Sequence, residues 1–302
     1  MAVEVREPSV KKSFFVSVVL PAYNEESNIA REIETIRKAM ETTDHAYEIL
    51  IIDDGSTDRT AQIAEAMGVR VVRHGKNRGG GLARNTGILE ARGNVIVASD
   101  ADGTYPHEEI PKMLSFFPEY DMVIGARVGQ VVEEPWYRRL PKDLIRRMAS
   151  RLSRMEIPDL NSGFRAFKKD AARNYFSLFP PGHSWAGTIT LAFLVNGHPV
   201  AFLPINYYKR KGGHSTFLPL ADTYSYILLV IRTIMYFNPL GILLPLGLGL
   251  FTFGGVKVVY DWLRTQYIGG LDVFIMVTSI NIIILGFIAD FLAVLHRKKT
   301  PH

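Results

Sequence analysis

The sequence predicts an α/β domain with a mostly parallel sheet, followed by a surface helix and two membrane-spanning helices. Two patterns carry this. From Phe14 to about Pro180, short β-branched runs alternate with helical ones, which is the signature of a parallel sheet covered by helices on both faces. Beyond residue 238, two long stretches contain almost no charge, as a bilayer demands.

The strands come first. "FFVSVVL" (14–20), "YEILIID" (47–53), "VRVVRH" (69–74), "VIVASD" (95–100) and "DMVIGA" (121–126) are rich in Val and Ile and bounded by turn residues. Between the first two, Ile29, Ile33, Ile36 and Met40 recur at helical spacing, and Thr60–Met67 and Leu82–Ala91 supply further helices. In such sheets ligands bind beyond the carboxyl ends of the strands. "PAYNEE", "DDGSTD" and "DADGTYP" all fall there.

Then the character of the chain changes. "PLGILLPLGLGLFTFGGV" (239–256) and "VFIMVTSINIIILGFIA" (273–289) have no polar face, so they read as transmembrane helices, about 239–260 and 272–295, rather than as core helices. Lys209, Arg210, Lys211 and Arg232 precede the first span and Arg297, Lys298 and Lys299 follow the second, whereas the connection "DWLRTQYIGGLD" carries one arginine and two aspartates. By the positive-inside rule both termini and the α/β domain are expected on the cytoplasmic side of a two-pass protein. The N-terminal tail, residues 1–13, has no apolar run of signal-peptide length. Residues 217–237, apolar with a single arginine, are expected to lie along the membrane surface as an amphipathic helix, the alternative being a C-terminal core helix of the α/β domain. That segment and the hairpin offer apolar surface compatible with a homo-oligomer.

Composition narrows the chemistry. The chain has 302 residues, a net charge of +5 and no cysteine, which excludes disulfides, thiol catalysis and cysteine-ligated metals and leaves oxygen and nitrogen ligands. The positive balance suits phosphates or an anionic membrane surface; no nucleic-acid partner is expected.

Three stretches carry functional side chains. In "VASDADGTYP", Asp100 and Asp102 leave a strand end one residue apart and offer hard oxygens to Mg²⁺ or Mn²⁺. A D-x-D alone is equally a solvated turn, with Gly103 relieving the backbone. "DDGSTD" also follows a strand: Ser56 or Thr57 suits a helix cap, while Asp53 and Asp54 suit the hydrogen-bonding groups of a nucleotide. "GKNRGGGLARNTG" places Lys76, Arg78 and Arg84 around three glycines, a basic helix entry near a diphosphate, without the spacing of a P-loop.

Together "VSVVLPAYNEESNI", "EILIIDDGSTDRT", "GKNRGGGLARNTGI", "VIVASDADGTYP", "DMVIGAR" and "DLNSGFRAF" resemble the family-two glycosyltransferases of GT-A fold, and among these the polyprenyl-phosphate sugar synthases. The resemblance covers roughly residues 14–216. It implies transfer of a hexose from a nucleotide-diphosphate sugar of the UDP-glucose or GDP-mannose type to a polyprenyl or dolichyl phosphate, with inversion, at the cytoplasmic face. It implies that Pro21, Tyr23, Glu25 and Asp53 hold the nucleotide and that Asp100 and Asp102 bind Mg²⁺ or Mn²⁺ and the diphosphate; Asp54, Lys76, Arg84 and Ala101, from the stretches above, complete the expected nucleotide-sugar site. Arg127, Arg139 and Arg210 would face the acceptor phosphate or the donor's diphosphate, a task suited to the bidentate fork of arginine, and Ser215 is expected on the acceptor side. Asp102, Arg127, Asp159 and Arg210 would be catalytic, with Asp159 the candidate if deprotonation or positioning is required and a helix cap or loop contact the alternative for it. The chain departs from the pattern at Thr104, where mannose synthases commonly have glutamine, and at Asp143, where they tend to have serine. A processive polysaccharide synthase of the same fold would carry Q-x-x-R-W, and neither Gln130 nor Gln266 sits in one. The third reading is a non-catalytic membrane subunit that binds nucleotide sugars.

Overall fold

The computed structural model describes residues 13–127, 150, 155–180, 185–208 and 239–298. Arg139, Arg210, Ser215 and the expected surface helix at 217–237 lie outside them. By internal contacts the chain divides at Ile227 and Leu228 into two units.

The first unit is a seven-stranded sheet with helices. Its strands are β1 (Val16–Ala22), β2 (Tyr47–Asp53), β3 (Arg70–Arg73), β4 (Val95–Ala98), β5 (Met122–Arg127), β6 (Arg165–Lys168) and β7 (Val200–Ile205), in the order β3-β2-β1-β4-β6-β5-β7. Only β6 runs against its neighbours β4 and β5; the other pairings are parallel. The expected mostly parallel sheet is therefore present. The helices are α1 (Ile29–Glu41), α2 (Thr60–Ala66), α3 (Gly80–Glu90), α4 (Ile110–Leu114), α5 (Lys169–Arg173) and α6 (Trp185–Val195).

Burial explains the register. Val16, Val18 and Leu20 of β1 pack with Ile29, Ile33, Ile36 and Met40 of α1, all fully buried. Each such side chain contributes about 1.5–3 kcal/mol relative to exposure. On the other face Gly87 of α3 meets Val19 and Ile52, so that any Cβ there would collide with Val19. Helix and sheet thus approach too closely for a larger residue.

The chain runs from β1 outward through β2 to β3, then returns to place β4 on the other side of β1. This reversal opens a crevice at the carboxyl ends of β1 and β4, the usual ligand position in such sheets.

The second unit contains α7 (Leu240–Thr265) and α8 (Gly270–Lys298), whose membrane-length segments have mean hydropathies of 1.9 and 2.3. Both are long and apolar enough to span a bilayer, and large side chains such as Leu246, Leu263, Phe274 and Phe287 are exposed, as lipid-facing positions would be. Small residues let the pair pack. Cβ atoms built on Gly247 and Gly254 would stand 2.5 Å from Ile283 and 2.8 Å from Ile275. Lys257 pairs with Asp261 at 2.5 Å and with Asp272 of α8, closing the charges near the connection on one another.

Candidate active site

Four chain segments meet at the carboxyl end of the sheet. The loop after β1 is stitched to the loop after β2 by backbone donors and side-chain acceptors. Asn24 N–H donates to Ser56 Oγ at 3.0 Å, Glu25 N–H to Thr60 Oγ1 at 2.8 Å and Glu26 N–H to Asp58 Oδ2 at 3.1 Å. Asn24 holds a left-handed φ of 56°, and its Oδ1 accepts Thr57 N–H at 2.8 Å. An asparagine tolerates that conformation better than most residues. Pro21 and Tyr23 are half-buried here, and Glu25 is buried with its Oε2 accepting from Asn28 Nδ2 at 2.8 Å.

The capping expectation needs correction. Ser56 accepts from Asn24, and it is Asp58 whose Oδ1 takes Thr60 N–H at 2.9 Å at the entry to α2. Asp58 sits lower in pKa than an ordinary aspartate; burial opposes this, but hydrogen bonds from Thr60 and the Glu26 N–H outweigh it.

Asp53 and Asp54, adjacent in sequence, do different work. Asp53, buried at the end of β2, accepts Ser56 N–H at 3.1 Å. Asp54 turns the other way. Its Oδ1 lies 2.6 Å from His74 Nδ1 and takes Arg78 N–H at 3.0 Å, and its Oδ2 takes Gly79 N–H at 2.8 Å. The carboxylate expected among the nucleotide contacts is engaged in anchoring the glycine-rich loop before α3. Gly55, with φ +79°, lets that loop close over it, since a Cβ would stand 2.6 Å from the Lys76 carbonyl carbon. Lys76 itself is exposed.

Arg84 of α3 reaches across to Asp100 Oδ1 in an ion pair and lies over the Trp185 ring, 5.6 Å from its centroid. Asp100 and Asp102 occupy the loop after β4, with Ala101 buried between them. Thr104, the residue that replaces the usual glutamine, donates from its hydroxyl to Asp102 Oδ1 at 2.6 Å. It orients the carboxylate and is itself buried.

The donor set suits a hard divalent cation. Asp100 and Asp102 supply two carboxylates; Asp100 Oδ1 is paired with the Arg84 guanidinium, which a bound ion would share or displace. No cluster of three or more acidic or histidine ligands occurs among the described residues. Two carboxylates completed by phosphate oxygens and water are a common Mg²⁺ arrangement.

Across the sheet, Arg127 ends β5 and makes a bidentate pair with Asp159, Nε to Oδ2 at 2.7 Å and Nη2 to Oδ1 at 3.0 Å. Asp159 is nearly buried, which opposes ionisation, yet the Arg127 guanidinium holds its carboxyl below the usual range. Arg127 is raised in turn: burial works against its charge, but Asp159 prevails. The guanidinium also lies over Tyr207 at 5.3 Å. Motif resemblance suggested Arg127 and Asp159 separately and gave no sign that they are partners.

Several side chains at the site escaped the sequence reading. Tyr105 is buried with its hydroxyl 2.8 Å from Gly163 N, and burial first, then the Asp100 charge, pushes its pKa up. Arg165 is fully buried and donates to Ala186 O at 2.8 Å, to Thr190 Oγ1 at 3.0 Å and to Ser162 O. Burial, aided by nearby Arg84, pulls its pKa down to about 9, which leaves it cationic at neutral pH. Its only sequence signal was membership of "DLNSGFRAF". Trp185 has the guanidinium groups of Arg84 and Arg165 each 5.6 Å from its ring centroid and donates to Asn85 Oδ1 at 2.8 Å; nothing in its local sequence announced that place.

The model of glycosyl transferase family 2 matches residues 17–176. Dolichol-phosphate mannosyltransferase of Pyrococcus furiosus is 34% identical over 214 residues, covering 66% of this chain, and the chain spans 58% of that relative's length. Dolichyl-phosphate hexose transferase of Haloferax volcanii is 32% identical, covering 65% of this chain and 84% of its own. Among solved structures, glucosyl-3-phosphoglycerate synthase of Mycobacterium tuberculosis, with Mn²⁺, UDP-glucose and phosphoglyceric acid bound, superposes with a TM-score of 0.56 at 20% identity over 73% of this chain and 79% of its own. That likeness is one of fold.

Proposed function

Because the chain belongs to glycosyl transferase family 2, we propose that it moves a hexose from a nucleoside-diphosphate sugar to a polyprenyl phosphate at the cytoplasmic face of a membrane. The observation that carries this reading is one edge of the sheet. Asp53, Asp100, Asp102, Arg84 and the Arg127–Asp159 pair all lie at strand carboxyl ends or in the segments beside them. The names of the relatives at 34% and 32% identity supply the acceptor class, and the two apolar helices suit an enzyme whose acceptor is a lipid.

In this reading Asp53 and the loop after β1 hold the nucleoside, and Asp100 and Asp102 bind Mg²⁺ or Mn²⁺ against the diphosphate. When bound, the ion would neutralise charge on the leaving diphosphate. Arg84 adds a fixed cation on the same side, preorganised by Trp185 and Asp100. An oxygen of the lipid phosphate attacks the anomeric carbon from the face opposite the nucleoside diphosphate, so one displacement inverts the configuration. A phosphate is ionised at neutral pH and needs no strong base. Asp159 accordingly serves to orient Arg127 toward phosphate oxygens, and its depressed pKa makes it a poor proton acceptor. Arg139, Arg210 and Ser215 remain part of the proposed acceptor side.

The test uses full-length protein in detergent with radiolabelled UDP-glucose and GDP-mannose, a short polyprenyl phosphate and Mg²⁺ or Mn²⁺. Label is expected in the organic phase, and chelator or Asp102→Ala should abolish it. Binding of nucleoside diphosphate without transfer to lipid phosphate from either donor would overturn the acceptor assignment.

A further inference from the structure

One buried polar pair takes no part in the reaction proposed above. His107 is fully buried in the single 3-10 turn after the D-x-D loop, and Glu32 of α1 is buried against it. His107 Nδ1 lies 2.9 Å from Glu32 Oε2, close but oblique for a hydrogen bond. Its Nε2 lies 2.7 Å from Oγ of Ser99, the fully buried residue immediately before Asp100.

Glu32 extends the connection. Its Oε1 accepts from Arg31 Nε at 3.0 Å and Nη2 at 2.9 Å, and the same Nη2 reaches Asn28 Oδ1 at 3.3 Å. Asn28 in turn donates to Glu25 at 2.8 Å. A run of six side chains, Glu25, Asn28, Arg31, Glu32, His107 and Ser99, therefore joins the loop after β1 to the loop after β4 beneath the site. Gly103 touches it as well: at its φ of +75° a Cβ would strike Arg31.

A hydrophobic pair of similar volume would serve the core as well as a buried carboxylate and imidazole, or better. It would not fix the direction of Ser99 Oγ, and it would leave the two loops without a polar link. We propose that His107 is a positioning residue that sets the Ser99–Thr104 loop and, through Glu32, ties its geometry to the loop carrying Glu25. The two ends of the donor site then tighten together, an extension that rests on the donor-site reading above.

Amide hydrogen exchange on the full-length protein tests the wiring without any ligand. His107→Phe removes both polar contacts and keeps an aromatic ring; exchange at residues 99–104 should rise about tenfold while β1 and β2 keep their protection. Asn28→Ala, which touches only the far end of the run, should loosen residues 99–104 in the same direction, a change that a purely local role for His107 would not produce. His107→Gln, which retains hydrogen-bonding groups, should restore part of the protection. Binding of UDP or GDP with Mn²⁺ should weaken about tenfold in His107→Phe, and binding of the same nucleotides without metal less than about twofold. Should His107→Phe fail to fold, Ser99→Ala removes the last link alone and carries the same expectation. Unchanged exchange at 99–104 in either substitution overturns the proposal, as does protection lost evenly across the sheet, and silence of Asn28→Ala overturns the tie between the loops. If the unsubstituted protein binds neither nucleotide with Mn²⁺, the donor-site reading fails, and the exchange comparison still decides the positioning role.

Discussion

Gly163→Ala separates the placement of Asp100 from the stability of the fold. A Cβ at Gly163 would stand 2.8 Å from Asp100 Oδ2, 3.3 Å from its Cγ and 3.3 Å from Tyr105 Cε2. Carbon and oxygen settle at about 3.3–3.6 Å, so the carboxylate must retreat by roughly half an ångström. Gly163 has no left-handed φ, and alanine restricts the unfolded chain slightly, which favours folding. The Asp100 side chain is 30% exposed and has room to turn. The stability cost should therefore sit at the low end for overpacking, about 1 kcal/mol, or a Tm loss of about 2–4 °C for a domain of this size. Catalysis should suffer more. A misplacement of about 1 Å costs on the order of a hundredfold, so a shift of half that size should cost about tenfold in turnover and weaken apparent Mn²⁺ affinity. The assay is initial-rate transfer of label to lipid phosphate across a Mn²⁺ titration, beside thermal unfolding in the same detergent. Full turnover with unchanged metal dependence would refute the role given to Asp100. A Tm loss above about 10 °C would show that the added carbon loads the core instead of the carboxylate.

Asp159→Asn should destabilise the protein by about 1–2 kcal/mol at pH 7, discounted for the partial exposure of Arg127. Because the folded pKa of Asp159 is depressed, that contribution is present above the unfolded value of about 4 and is lost as pH falls through the folded one. Unfolding at pH 7 and at pH 2–3 should accordingly show the gap between variant and wild type closing in acid; a constant gap refutes it. Asp54→Ala removes the partner of His74 Nδ1 and the acceptor of Arg78 N–H, and leaves Gly79 N–H only Asn77 Oδ1 at 3.1 Å, at about 1–3 kcal/mol. Faster amide exchange confined to residues 75–80 and a raised donor KM are expected, and unchanged exchange there would remove Asp54 from its anchoring role. Arg165→Lys keeps the charge but loses the fork that joins Ala186, Thr190 and Ser162. A loss of about 2–4 kcal/mol should appear in thermal unfolding, and a variant as stable as wild type would show that these contacts are replaceable.

Much of the frame was legible in the sequence. The run at 47–53 is β2 to the residue, and Ile29, Ile33, Ile36 and Met40 form the buried face of α1 as their spacing required. Those signals are local: a period of two or 3.6 records which side chains face the core. The strands β6 and β7 and the helix α6 were not foreseen. β6 is four residues long and antiparallel, α6 is buried all round and so has no periodic pattern to read, and β7 carries Pro204 within a strand.

By itself the sequence determined the alternation of strands and helices, the two membrane-length segments and the carboxylates at strand ends, because each depends on residues close together in the chain. Only the tertiary structure decided what those carboxylates meet. Asp54 takes a loop 24 residues away and Arg127 takes Asp159, 32 residues on. Arg84 and Arg165 share Trp185, and Glu32 finds His107. A charge announces its type in the sequence, whereas its partner, and with it the choice between ligand contact and scaffold, is set by which strand ends the sheet order brings side by side.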